Sequence, residues 1–205
     1  MRREDIEALA ALTEPVDELH RRATRHLNQI PNQVGNPRSI WSEQVWWDRV
    51  CDRIARRWQL DARSSRLLAA QLPAMVSAAE RAADDARAAG ADRLGRQQAM
   101  IRALAAVRRS WGAIATRIAV TETTRRLAEG RLTSAPGTAL KRWVTEGDRR
   151  VRDTHREVGD QRPIPLNMPF LVGGAPMMFP GDPTGPPDEV VNCRCELKIV
   201  EGTRP

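Results

Sequence analysis

The stretch Ser134-Ala-Pro-Gly-Thr-Ala-Leu-Lys-Arg-Trp-Val-Thr145 marks the point where the composition of the chain changes. Four of the 14 prolines precede this Pro-Gly pair, and ten lie in the shorter part that begins at residue 136. Ala, Leu and Arg dominate residues 1–135, which favours helices, whereas Pro, Gly and short apolar pieces dominate residues 136–205. We therefore expect an α+β protein, with a helical region over 1–135 and a compact α+β module over 136–205.

Upstream of this stretch, the helical region is expected to form an elongated bundle or hairpin. Its strongest helix is predicted over residues 97–129, with Gly130 ending it. The apolar residues that recur there at steps of three and four are Leu104, Val107, Trp111, Ile114 and Ile118. A first helix is expected over residues 4–27, kinked or divided at Pro15, and a connector over 31–39.

Downstream, the pattern predicts a small and mostly antiparallel sheet. A strand is expected over residues 140–145, a short helix over 149–158, and a closing strand over 195–200. Two short apolar pieces, Phe170-Leu-Val172 and Met177-Met-Phe179, flank Gly173-Gly174 and are typical of a hairpin.

Charge and cysteine content narrow the class of protein. The 205 residues carry a net charge of +7, and Lys141 and Lys198 are the only lysines among 33 basic residues. Arginine abundance is explained by a GC-rich genome or by a surface that faces phosphates. No apolar run approaches the roughly 20 residues of a membrane span, and no secretory signal is expected. Three cysteines do not form a disulfide framework, so a reducing compartment is the default.

One group of residues suggests a metal site. Cys193 and Cys195 offer two thiolates and His155 one imidazole, the ligand types that zinc prefers. A carboxylate or a water would complete a tetrahedral site, and the candidate carboxylates are those of Asp148, Asp153 and Asp182. Zinc sites usually space their cysteines by two to four residues, so the alternative is a pair of reduced thiols beside a hydrogen-bonded histidine.

A second group could carry catalysis. Asp148, Arg152 and His155 combine an acid, a cation and a base, the types needed for phosphoryl or nucleotidyl chemistry. The alternative is a turn held by hydrogen bonds between Asp and Arg. No phosphate loop, dinucleotide-binding fingerprint, nucleophile elbow or zinc-protease motif is present.

Several of these residues recur in an order that resembles a known family. The segments are Trp143, Asp148-Arg-Arg-Val-Arg152, His155, Gly159, Phe170, Phe179-Pro-Gly-Asp-Pro183 and Asn192-Cys-Arg-Cys195. In this order they resemble the head-morphogenesis family of tailed phages, the phage Mu protein F-like or minor head proteins. Upstream, Ile118-Ala-Val-Thr-Glu-Thr123 is similar to that family's helix ending in Thr-Glu-Thr. The resemblance covers residues 101–200.

The resemblance implies a minor capsid protein without enzymatic activity. Such a protein acts at the portal vertex in head assembly and in DNA packaging or ejection, in several copies around the portal. Its partners would be the portal protein, other head proteins and packaged double-stranded DNA, but no membrane. It would be located in the virion, and in the host cytoplasm during assembly. The residues that carry the structural motif would be Trp143, Asp148, Arg152, His155, Asp182, Asn192, Cys193, Arg194 and Cys195.

Two other classes of function remain open. The first is a nucleic-acid-processing enzyme or toxin-like domain that uses Asp148, Arg152 and His155. The second is a plain DNA-binding protein that uses the arginine-rich helices, whose affinity would fall steeply with salt.

Overall fold

Within the described residues, helices make up most of the chain up to Thr133, and five short strands, two short helices and loops make up the part that follows. A computed structural model describes residues 2–28 and 36–201. The first part contains α1 (Arg3–Asn28), a 3-10 helix (Pro37–Glu43), α2 (Gln44–Trp58), α3 (Ala62–Ala69), α4 (Gln71–Ala88) and α5 (Arg93–Thr133). The second contains β1 (Leu140–Val144), α6 (Asp153–Gly159), β2 (Ile164–Pro165), β3 (Phe170–Val172), β4 (Ala175–Met177), α7 (Pro187–Val190) and β5 (Glu196–Val200). The predicted α+β class is confirmed.

The chain folds into two compact units. One comprises Ile6–Thr116, and the other comprises Met1–Asp5 together with Arg117–Pro205. Helix α5 contributes residues to both, so the units divide within this helix. The two units divide between Thr116 and Arg117, whereas the boundary predicted at residue 135 lies just after the end of α5 at Thr133.

The unit of Ile6–Thr116 is built from helices with one buried stripe each. The buried residues of α1 recur at steps of three and four: Ala8, Leu12, Val16, Leu19, Ala23 and Leu27. Two buried tryptophans also find polar partners, because Trp111 donates its indole N–H to the carbonyl of Leu12 at 3.0 Å and Trp47 donates to Ala69 at 3.2 Å. Each indole therefore links two helices while filling the core.

Two residues that were expected to interrupt or end a helix lie inside one. Pro15 does not divide α1, because the nearby residues Leu12, Val16 and Leu19 are buried and their packing offsets the lost hydrogen bond. Gly130 also lies within its helix, which continues to Thr133. The connector predicted over residues 31–39 falls largely outside the described residues.

The unit that contains Arg117–Pro205 is organised around a three-stranded antiparallel sheet in the order β2-β1-β5. Strand β1 pairs with β5 from Leu140 opposite Val200 to Val144 opposite Glu196. Strands β3 and β4 form the expected hairpin, although its second strand begins two residues earlier than predicted. Helix α6 begins at Asp153 and not at residue 149 because residues 148–151 form a turn.

The core of this unit surrounds Trp143, the fully buried centre of β1. Its other members come from α5, α6, the hairpin, α7 and β5: Ala128, Val158, Phe170, Val172, Met177, Phe179, Val190, Cys193, Cys195 and Leu197. Gly181 permits the closest backbone approach, since its φ is +83° and an added Cβ would lie 3.0 Å from the backbone nitrogen of Arg125. A side chain there would push the loop off α5.

None of the helices within residues 2–28 and 36–201 combines the length and the apolar character that crossing a bilayer requires.

Candidate metal centre

Three potential metal ligands come together in the interior of the unit that contains Arg117–Pro205. His155 lies on α6, while Cys193 and Cys195 lie in the extended segment between α7 and β5. All three side chains are buried, and one ligand atom of each lies within 4.8 Å of the others. The histidine and the cysteines that the sequence singled out therefore form one cluster.

The distances fit a tetrahedral ion. Nδ1 of His155 lies 3.3 Å from Sγ of Cys195 and 3.8 Å from Sγ of Cys193. A zinc ion bound to sulfur and imidazole nitrogen at its usual bond lengths separates those two ligand atoms by about 3.5 Å. The same distances also suit a hydrogen bond between a thiol and an imidazole, which is the alternative left open above.

The opposite nitrogen of the imidazole faces a carboxylate. Oε2 of Glu189 lies 3.0 Å from Nε2 of His155, outside the angular range of a hydrogen bond. The same oxygen accepts a hydrogen bond from Oγ1 of Thr154 at 2.9 Å, which fixes the carboxylate. A metal at Nδ1 places the ring proton on Nε2, toward Glu189. Carboxylates in this position orient metal-bound histidines and strengthen them as ligands.

The two thiols differ in their readiness to ionise. A hydrogen bond from Cys193, aided by His155 and Trp143 and opposed by burial, lowers the pKa of Cys195 to about 5. The same bond between the cysteines, together with burial, raises the pKa of Cys193 above its ordinary value. Because metals bind thiolates, the pair already favours one ionised ligand at neutral pH.

Aromatic rings close one side of the cluster. The ring of Trp143 meets His155 edge-on at 5.2 Å between centroids and Phe170 at 5.5 Å. The buried indole nitrogen of Trp143 lies beside Cys195 and helps to lower its pKa. These rings shield the thiols from solvent on this side, and a low dielectric strengthens charge interactions inside the cluster.

A turn positions the two cysteines. Asn192 adopts the left-handed conformation with φ of 64°, which asparagine tolerates better than most residues. Alternate residues of the extended segment that follows point to the same side, so Cys193 and Cys195 both face His155 while Arg194 points outward. The single-residue spacing of the cysteines is therefore compatible with a shared ligand.

Helix α5 holds this turn through two hydroxyl groups. Oγ1 of Thr121 accepts a hydrogen bond from the backbone N–H of Asn192 at 2.8 Å. Oγ1 of Thr124 donates to the backbone carbonyl of Cys193 at 2.7 Å. The Thr-Glu-Thr segment and the Asn-Cys-Arg-Cys segment, about 70 residues apart in sequence, are thus in direct contact.

Two arginines brace the outside of the cluster. Arg194 makes two hydrogen bonds of 2.7 Å to the carboxylate of Asp148, which lowers the pKa of Asp148 to about 2. Arg152 donates to the backbone carbonyl of Val191 at 2.7 Å. The predicted motif residues Asp148, Arg152 and Arg194 therefore connect the turn before α6 with the turn that carries the cysteines.

Asp182 holds a different part of the unit. Its carboxylate accepts hydrogen bonds from the backbone of Met178 at 2.7 Å and from the backbone and hydroxyl of Thr184 at 2.9 and 2.7 Å. The fully buried Lys141 donates to the carbonyl of Met178 at 2.8 Å. Burial lowers the pKa of Lys141 to about 8, and the charge of Asp182 opposes this shift.

None of the three aspartates named as candidate fourth ligands joins the cluster, which leaves water as the alternative. Asp148 is bound to Arg194, Asp153 is exposed and pairs with Arg156, and Asp182 serves its own loop. None of the three belongs to the cluster of ligand atoms in the described part of the chain. A recess of about 10 Å³ lies against the cluster instead. That volume accommodates about one water molecule, the usual fourth ligand where a protein supplies three.

The proposed catalytic set is brought together only loosely. His155 faces the cysteines, Arg152 reaches Val191, and Asp148 is neutralised by Arg194. Each of the three has a structural partner, as the alternative of a turn held by Asp and Arg predicts.

Sequence reasoning missed Glu189, Thr124 and Lys141. Glu189 lies in a Pro-Pro-Asp-Glu segment that reads as a turn, and Thr124 follows directly after the recognised Thr-Glu-Thr segment. Lys141 could have been found, because it stands two residues before Trp143 and therefore on the same, inward face of β1.

We also compared the chain with known proteins. No family model matches it, and neither a curated protein nor a solved structure does.

Proposed function

We propose that this protein is a minor head protein of a tailed phage or prophage, and that zinc at His155, Cys193 and Cys195 holds its C-terminal module together. The observation that carries the proposal is that the motif segments meet. Thr121 and Thr124 bind the turn at Asn192, and that turn delivers both cysteines to His155. Motif segments that lie far apart in the sequence but build one buried cluster support a shared structural role for these segments.

Zinc is the metal that the donor set favours. Two thiolates and one imidazole select a soft or borderline ion, whereas magnesium and calcium prefer oxygen ligands. When bound, zinc would cross-link α6 to the segment before β5. Structural zinc contributes directly to folding, because the ligands are brought together only in the folded state.

The role at the particle follows from the resemblance. The protein would act without enzymatic activity at the portal vertex, in several copies, and contact the portal protein and other head proteins. Packaged double-stranded DNA is a further proposed partner, through arginines of the helical region. The virion is the proposed location, with assembly in the host cytoplasm.

The test of this function is quantitative mass spectrometry of purified particles of the source phage, before and after DNA release. We expect a few copies per portal in filled particles. Loss of the protein on DNA release would assign it to ejection, and retention would assign it to the head. If the protein is absent from particles but present in the lysate, that result would contradict the proposal that it is a minor head protein.

Zinc is tested separately on the purified chain. Elemental analysis should give close to one zinc per chain, and His155→Ala and Cys193→Ser should lose it. Cys51→Ser is the matched control, because Cys51 lies outside the cluster. A wild-type protein that remains free of metal after refolding with zinc would contradict the zinc proposal and leave the particle test unaffected.

A further inference from the structure

A groove of about 540 Å³ lies against the sheet, and neither Cys193 nor Cys195 lines it. Its wall includes Arg142 of β1, Lys198 of β5, Arg156 in the middle of α6 and Asp160 just after that helix. The size falls within the range of small-ligand sites. All of these residues belong to the unit that contains Arg117–Pro205.

Two cations face each other directly in this groove. Arg142 and Lys198 are partners in the register of β1 and β5, and both are exposed. Side chains directly opposite on antiparallel strands lie about 5 Å apart at Cβ, and like charges there destabilise the sheet. Neither side chain has an ion pair within residues 2–28 and 36–201. The fold therefore carries an uncompensated repulsion at this place.

A third cation lines the same groove. Arg156 is anchored by a 2.9 Å ion pair with Asp153 and a 3.2 Å hydrogen bond to the carbonyl of Asp148. Asp160 supplies the one carboxylate of the lining. With Asp153 counted as the partner of Arg156, three basic groups stand against two acids and leave a net charge of +1. The anchoring of Arg156 reduces the entropy lost when an anion binds.

We propose that this groove binds a phosphate group. An anion between Arg142 and Lys198 removes their repulsion and pairs with both. Phosphate suits the set better than a carboxylate, because it carries more charge and more acceptor oxygens. Guanidinium forks match those oxygens two at a time, and the ammonium of Lys198 adds a point charge. This site is separate from the cysteine cluster and does not depend on the proposed zinc.

The experiment is calorimetric titration of the full chain with inorganic phosphate at constant ionic strength in chloride. Arg142→Gln and Lys198→Gln should each weaken binding about tenfold, as expected for the loss of one charge-assisted contact. Arg162→Gln is the matched control, since Arg162 is exposed, carries the same charge and lies outside the groove. Its affinity for phosphate should equal that of the wild type.

Thermal unfolding shows whether a substitution weakens phosphate binding directly or by destabilising the fold. Without phosphate, Arg142→Gln should melt at the same temperature as the wild type or higher, because it removes a repulsion. Phosphate should raise the melting temperature of the wild type more than that of the variant. A melting temperature of Arg142→Gln well below that of Arg162→Gln would show that Arg142 stabilises the sheet without a ligand, and would overturn the proposal.

Two further titrations identify the source of the phosphate. Weaker binding of short duplex DNA by both groove variants would assign the phosphodiester backbone, and binding of free phosphate alone would assign a small phosphate compound. Either result supports the site. Equal competition by acetate, no measurable phosphate binding, or unchanged binding in the double variant of Arg142 and Lys198 would overturn it.

Discussion

Glu189 occupies the place from which a carboxylate can orient His155. We expect Glu189→Gln to weaken zinc binding by about 10- to 100-fold, because the amide keeps the shape and the contact with Thr154 but loses the negative charge. Competition with a chromophoric chelator measures this affinity. Asp188→Asn is the control, since Asp188 is the exposed neighbour. An equal loss of zinc affinity in Glu189→Gln and Asp188→Asn would show that the net charge of the protein, and not the position of Glu189, determines zinc binding.

Lys141 should contribute to the free energy of unfolding a part that increases with pH in the alkaline range. Burial lowers the pKa of Lys141 from 10.5 to about 8 in the folded protein, so between these values the unfolded chain binds more protons. The contribution of Lys141 to stability should therefore increase as the pH rises from about 8 toward 10.5. Lys141→Met should remove this increase, as measured by urea unfolding at pH 7.5 and 9.5. In the exposed Lys198→Met the increase should persist, and its loss there would refute the assignment.

At the scale of single residues, the sequence predicted the ligands better than their surroundings. Cysteine and histidine are recognisable by their chemistry wherever they lie, so His155, Cys193 and Cys195 could be named in advance. Glu189 and Thr124 act only through their position, which depends on how α7 and α5 pack. The aspartates were named as ligands by type alone, and their actual partners are arginines and backbone amides.

At the scale of elements, the contact between the loop at Gly181 and α5 is a sensitive point. Gly181→Ala should lower the free energy of unfolding by about 1–3 kcal/mol, because φ is +83° and the added methyl meets the backbone of Arg125. Gly137→Ala is the control, since nothing lies within 4 Å of its added Cβ. That change should be neutral or stabilising by up to about 1 kcal/mol. Chemical denaturation measures the free energy of unfolding of both variants. Equal values for Gly181→Ala and Gly137→Ala would contradict the close approach of the loop to α5.

Periodicity located the helices but not where they end. Steps of three and four between apolar residues placed the long helix correctly, while its bounds were wrong by four residues at each end. Helix ends depend on local capping and on tertiary packing, and a glycine such as Gly130 stops a helix only where the chain also turns. Strands β1 and β5 lie within one residue of their predicted bounds, whereas β2, the third strand of the sheet, was not predicted.

At the scale of the whole molecule, the two units should respond differently to loss of metal. All three proposed ligands belong to the unit that contains Arg117–Pro205. Removing zinc with a chelator should therefore accelerate amide hydrogen exchange by about tenfold or more in residues 117–201 and leave residues 6–28 and 36–116 unchanged. Mass spectrometry of peptide fragments measures the rate of hydrogen exchange in each unit separately. Equal acceleration in both would show that the cluster stabilises the chain as one cooperative body.

The pair of hydroxyls on α5 also limits how the length of this chain can vary in evolution. Thr121 and Thr124 stand three residues apart on one helix and bind the consecutive residues Asn192 and Cys193. One residue inserted between the threonines would turn one hydroxyl about 100° away from the turn. Insertions and deletions among homologues should therefore avoid residues 121–124 and 192–195. They should accumulate in the exposed stretch around residues 160–163, where a change in length moves neither threonine nor cysteine.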